Sequence, residues 1–109
     1  YANASGDQNP IHVDDATAKA AGHPSIILHG LCTMAFTSWA VLTEVGGSDV
    51  TRLRRFAVRF SKMVLPGDDL HTPIWRKSRG AGITTYAFET TRAGGQEKAI
   101  TDGWADIAD

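Results

Sequence analysis

Apolar and polar positions follow a helical period in the first half of the chain and an alternating one in the second. From Leu31 to about Val45 the apolar residues Leu31, Met34, Ala35, Phe36, Trp39, Val41, Leu42 and Val45 cover much of a helix's circumference. A helix apolar on nearly every side is buried on nearly every side, so this segment is predicted as a central, enclosed helix ended by Gly46-Gly47. Residues 14–22, DDATAKAAG, predict a short helix with Asp14 as N-cap and Gly22 as its stop. Strand signals follow. RRFAVRFS sets Phe56, Val58 and Phe60 on one face and Arg55, Ala57 and Arg59 on the other. LPGDD reads as a turn. LHTPIWRKS and GITTYAFETT flank the hairpin signal RGAG, and AITDGWADI closes the series beyond AGGQEK. Pro73 assigns its strand to an edge or a bulge. One long helix with about four antiparallel strands is an α+β domain, a sheet curled round a helix.

Composition narrows the partners. The 109 residues suit one domain with a single core, and no repeat or low-complexity tract divides them. A formal charge of -1 gives no electrostatic reason to expect nucleic acid or an anionic membrane, despite the local group Arg52, Arg54, Arg55, Arg59 and Lys62. No apolar run approaches the ~20 residues of a membrane-spanning helix. The single cysteine, Cys32, cannot form an internal disulfide, which fits a reducing compartment.

The polar stretch SGDQNPIH, residues 5–12, carries the first candidate chemistry. Asn9-Pro10 initiates a turn, because proline drives its predecessor out of the helical region. Asp7 and His12 bracket that turn. A carboxylate near an imidazole can orient it, raise its basicity and share a water with it; each residue alone is equally an ordinary turn or surface residue. His12, Asp14, His23 and His29 are also possible metal ligands, although their spacing matches no familiar zinc pattern. Nucleophilic catalysis through Ser5 or Cys32 would need an adjacent base; Ser5 has candidates nearby, but no nucleophile elbow is present. The second candidate is His29-Gly30, just before the long helix. Free N–H groups and the helix dipole there suit an oxyanion or polarised carbonyl, and glycine allows close approach; Gly30 could equally just ease the loop into the helix.

YANASGDQNPIHVD and GHPSIILHGLCTMAF together resemble the MaoC-like, hydratase 2 family of (R)-specific enoyl-CoA hydratases, over essentially the whole chain. LHGLCT and the F…RFSKMVLPGDDL stretch are most similar to the C-terminal half of the hydratase domain in the family's peroxisomal multifunctional members. The resemblance implies a hot dog fold, in which an antiparallel sheet wraps a long central helix. It implies addition of water across a trans-2-enoyl-CoA, with Asp7 and His12 as the catalytic pair and the Gly30 N–H as oxyanion donor. Asn9 falls at the motif asparagine that braces the loop. Asn9, His29, Arg59 and Lys62 are the implied substrate-side residues, the last two through the CoA phosphates. No metal or cofactor is implied.

An acyl carrier protein thioester is the alternative substrate, and a catalytically silent hot dog half of a larger enzyme is the alternative function. A homodimer or a second hot dog domain is the implied partner, with no nucleic acid or membrane. The implied location is cytoplasmic, or peroxisomal in a eukaryote. Family members carry a further strand and helical segment ahead of Tyr1, so the resemblance also implies that this sequence lacks them or is part of a longer chain.

Overall fold

The change of period falls at the boundary between helices and sheet in the computed structural model, which describes residues 1–109. Three helices come first: α1 (Ala2–Ser5), α2 (Asp15–Ala20) and α3 (Gly30–Val45). Asp14 is the N-cap of α2, as the sequence predicts, and Gly22 just beyond it takes the left-handed conformation (φ 94°) that ends helices. Four strands follow: β1 (Leu53–Phe60), β2 (Ile74–Gly80), β3 (Ile83–Arg92) and β4 (Glu97–Ala108). All pairings are antiparallel, in the order β1-β4-β3-β2.

The turn chemistry predicted the hairpin correctly. Ala81 and Gly82 both have positive φ (55° and 75°), the two-residue turn whose twist matches the strands it joins. Pro73 precedes β2, which is an edge strand where a missing N–H costs nothing. The strand begins later than its sequence pattern, because His71 makes only an isolated bridge to Thr91. β4 bulges at Asp102-Gly103, where two residues face one of β1 and Asp102 has φ 52°. A Cβ on Gly103 would lie 2.4 Å from the Phe88 ring, so glycine is required there by close approach. Phe88 in turn stacks on Phe56 at 5.0 Å and anchors a core with Val41, Ile100, Ala105 and Ile107. Fully burying a side chain of the larger kind contributes ~1.5–3 kcal/mol.

The helix corrects one expectation. α3 packs on β1 and β4, but it is not enclosed. Its fully buried side chains are Thr33, Thr37 and Val41, one stripe at i, i+4 and i+8, while Leu31, Phe36 and Trp39 are 65%, 53% and 69% exposed. The polar residues face the sheet because the sheet answers them. Thr37 Oγ1 lies 2.8 Å from Thr90 Oγ1, which lies 2.9 Å from Thr72 Oγ1, so the buried hydroxyls satisfy one another. The most apolar side of α3 is left outward in the single chain.

Candidate active site

The loop that carries Asp7 and His12 has almost no regular structure, and hydrogen bonds give it shape. Gly6, at φ 79°, ends α1 and turns the chain. The Asp7 N–H donates to Ser5 Oγ, and Asp7 Oδ1 accepts the Asn9 N–H at 3.1 Å. Asn9 Oδ1 then caps the 3-10 turn Pro10–His12 by accepting the Ile11 N–H. Asp7 is therefore a turn residue through one oxygen only. Its other oxygen, Oδ2, faces His12 Nε2 at 3.9 Å.

Two backbone contacts hold the approach of α3, one against this loop and one against Val64. The Ile27 N–H donates to the Ile11 carbonyl, and the Leu28 N–H donates to the Val64 carbonyl. Between them, His12 Nδ1 lies 2.8 Å from the Ile27 carbonyl. A carbonyl only accepts, so Nδ1 carries a proton and Nε2 is the nitrogen left with a free lone pair. The His12 side chain is 10% exposed and the Asp7 side chain 52%, a fixed ring beside a solvated carboxylate. The gap between Oδ2 and Nε2 is too long for a direct hydrogen bond. It is short enough for one water to lie at ~2.8 Å from both atoms.

His12 opens onto a cavity of about 270 Å³ whose wall includes Gly30, Thr33, Phe60 and Lys62. The Gly30 N–H makes no backbone hydrogen bond and begins the 16-residue helix α3, so a residue of the cavity wall carries a free donor and the helix's partial positive charge. Nothing in the fold demands glycine here. Its φ is not in the left-handed region, and a Cβ would meet Phe60 at 3.4 Å, an ordinary contact. A larger groove of about 530 Å³ runs along α3 beside Phe36 and Trp39 and shares Leu28 and Val64 with the smaller cavity. His12 and Gly30 line the smaller one.

The structure sorts the remaining sequence candidates. Lys62 lines the cavity. Arg59 does not: it is exposed and paired with Asp102 at 3.3 Å. Asn9 is a cap and not a cavity residue. His29 is buried beside His12 and outside the cavity wall. Phe60 and Thr33 also line the cavity without any chemical signal in the sequence, although the β1 alternation puts Phe60 on the same face as Phe56. The Ile27 carbonyl has no sequence signal at all.

Among possible metal ligands the fold gathers Asp7, His12 and His29 and leaves Asp14 and His23 apart. The two imidazoles are stacked, with centroids 4.0 Å apart and planes inclined by 22°. A ring nitrogen's lone pair lies in its ring plane, so stacked rings cannot aim both nitrogens at one ion. His12 Nδ1 and His29 Nε2 are moreover each engaged with a carbonyl.

Behind Val64 the turn at residues 65–69 is pinned by charge. Arg92 bridges Asp68 and Glu97, and Asp68 Oδ2 also accepts the Leu65 N–H at 2.8 Å. The Arg92 hydrogen bond holds the Asp68 carboxyl below the usual carboxylate range, against the opposing effect of its burial, with the Leu65 N–H adding to the lowering.

The family model described as "MaoC like domain" matches residues 1–98. Peroxisomal multifunctional enzyme type 2 of Mus musculus is 42% identical over 86 residues, 79% of this chain and 12% of that protein. 3-Hydroxyacyl-thioester dehydratase Y of Mycobacterium tuberculosis is 43% identical over 91 residues, 83% of this chain and 30% of that protein. The chain thus spans less than a third of the length of either relative. The unliganded R-hydratase PhaJ1 of Pseudomonas aeruginosa superposes with a TM-score of 0.85 at 29% identity, over 98% of this chain and 68% of that one.

Proposed function

Because the chain belongs to the MaoC-like domain family and has its hot dog fold, we propose that it is the catalytic unit of an (R)-specific 2-enoyl-CoA hydratase, or 3-hydroxyacyl thioester dehydratase in the reverse direction. The carrying observation is a water-sized gap between Asp7 and His12, with His12 opening onto the cavity that Gly30 supplies with a free N–H.

The geometry supports the following course. The thioester carbonyl accepts the Gly30 N–H, which makes the β carbon electrophilic. Water shared by Asp7 Oδ2 and His12 Nε2 attacks that carbon: the oxygen–carbon bond forms, the alkene π pair shifts between the α carbon and the thioester carbon, and the carbonyl π pair moves to oxygen, giving an enolate. One water proton passes to Asp7 Oδ2 as the base and from there, through the oxygen both groups share, to the free lone pair of His12 Nε2. As the enolate collapses, the pair returns a proton through His12 Nε2 to the α carbon, so one water is added and the pair is unchanged. Oxyanion stabilisation of this kind is worth ~10²–10³ in kcat, and acid–base help ~10²–10⁴. Lys62 is placed for a CoA phosphate at the cavity rim. An acyl carrier protein thioester would present the same reacting atoms.

The partner in this reading is a second hot dog, the chain's own copy or another domain, which would cover Leu31, Phe36 and Trp39. No helix is long and apolar enough to cross a membrane. The compartment of this reading is the cytoplasm, or the peroxisome as for the mouse relative.

The test is loss of the conjugated enoyl-thioester absorbance of crotonyl-CoA. Asp7→Asn and His12→Ala should each lower kcat ~10²–10⁴-fold with little change in KM. Groups that share one water act as a unit, so the double variant should lose far less than the product of the single losses. Multiplying losses would show two separate roles. Full activity in Asp7→Asn would leave the silent hot dog half as the better reading.

A further inference from the structure

His29 is only 7% exposed, yet it takes no part in the wall of the cavity that adjoins it. Its ring instead turns back across the chain to the catalytic loop. His29 Nε2 lies 2.9 Å from the backbone carbonyl of Asp7, 22 residues earlier, and since a carbonyl only accepts, Nε2–H is the donor. The same ring lies against His12, stacked at 4.0 Å. One side chain therefore touches both members of the pair: Asp7 through its main chain, His12 through the face of its imidazole. No other side chain donates to the Asp7 main-chain carbonyl, and the remaining hydrogen bonds of Asp7 itself run only to Ser5 and Asn9, within its own loop. His29 is also the residue immediately before Gly30, so the anchor for the pair and the oxyanion donor are consecutive in the chain.

From this geometry we infer that His29 is the positioning residue of the site: its Nε2–H holds the Asp7 main chain, and its ring backs His12, so that Oδ2 and Nε2 keep the spacing of one shared water beside the Gly30 N–H. It touches neither substrate nor water. The effect on rate is indirect: a displacement of about 1 Å in a reacting group can cost ~10²-fold. The turnover arm rests on the hydratase reading; the placement itself does not.

Two substitutions separate the hydrogen bond from bulk. His29→Leu fills the site without a donor. His29→Gln places an amide N–H near the position of Nε2 but supplies no ring. With crotonyl-CoA, below the melting temperature of every variant, His29→Leu should lower kcat ~10–100-fold and move KM by less than about threefold. His29→Gln should recover at least tenfold of that loss. A leucine variant with full kcat, a glutamine variant no better than leucine, or a KM rising in step with the fall in kcat would each overturn the inference.

A second measurement stands whether or not the chain turns over an enoyl thioester. Long-range nitrogen–proton spectra should show His29 carrying its proton on Nε2, and the Asp7 carbonyl carbon and the Gln8 amide of the same peptide unit should be displaced in His29→Leu and restored in His29→Gln. A proton on Nδ1 alone, or an Asp7 signal indifferent to both changes, refutes the placement. A wild type inert toward the thioester, with the spectra as expected, would instead remove the hydratase reading and leave His29 as the anchor of the loop.

Discussion

Gly30→Ala separates what the fold needs at the start of α3 from what the proposed reaction needs. The added methyl would lie 3.4 Å from Phe60 Cε1, and the backbone there has no positive φ, so nothing in the chain must move. Alanine is favoured over glycine in a helix by up to ~1 kcal/mol. A domain of this size converts 1 kcal/mol into ~4–8 °C, so the melting temperature should hold or rise by a few degrees. Activity should go the other way. The methyl projects towards Phe60, and both residues line the cavity that His12 opens onto. It therefore occupies space a thioester must enter to reach the Gly30 N–H, and losing one oxyanion donor costs ~10²–10³ in kcat. Thermal unfolding followed by fluorescence and the crotonyl-CoA assay read the two effects on the same preparation. A variant that keeps full kcat/KM shows that the space between Gly30 and Phe60 is not where the thioester carbonyl docks, because alanine keeps the N–H and adds only the methyl. One that loses activity only because it unfolds shows that the contact with Phe60 has been misjudged.

Two further outcomes follow from charges around the site. Lys62→Ala should raise KM for a CoA substrate several-fold at low salt with kcat nearly constant, because a phosphate contact binds ground and transition states alike. Arg59→Ala, which removes an exposed pair with Asp102, should change neither, and equal effects from both would refute the separation seen in the structure. Asp68 gives a pH signature. Its carboxyl is held low in the fold, chiefly by Arg92, so the unfolded chain binds its proton first as pH falls from neutrality. The stabilisation is complete above the unfolded value of ~3.9 and is lost as pH falls through the lower folded value. Asp68→Asn should therefore melt below wild type at pH 7, by a gap that narrows below about pH 4. A gap constant down to pH 2 would remove Asp68 from the account.

The elements that were legible in the sequence are those whose local chemistry and long-range packing agree. In β1 the alternation that puts Phe56 and Val58 on one face is answered by the core they both pack against. Ala81-Gly82 turns because a tight hairpin needs positive φ at both positions. α3 shows where agreement ends. Its apolar pattern marks surfaces that can be buried without saying by what, and in the single chain Thr33 and Thr37, not Leu31 or Trp39, face the sheet. The partner hydroxyls Thr90 and Thr72 lie on and near β3, far along the chain, so no local pattern announces them. Arg59 was legible after all: the β1 alternation sets it opposite Phe60, which does line the cavity. His29 was not, because its position beside Gly30 suggests a residue that meets substrate, while its ring is claimed by a carbonyl in another loop.

The two glycines at 30 and 103 show how function can be separated from packing by physical reading alone. At Gly103 any side chain would collide with Phe88 at 2.4 Å, so the bulge and the core ring fix its identity whatever the protein does. At Gly30 neither backbone nor packing excludes alanine, and helix preference favours it. The same holds at Asp7, whose side chain is 52% exposed and whose turn needs only one of its two oxygens; an asparagine would make that turn equally well. The fold is therefore indifferent to the residues that the proposed reaction depends on most. What it supplies is their arrangement, through the Ile27 carbonyl on His12, His29 on Asp7 and the start of α3 at Gly30, all within four residues of chain leading into one helix. A site assembled this way can lose its chemistry through single substitutions that leave the protein folded, which is why activity and stability have to be measured side by side at Asp7 and Gly30.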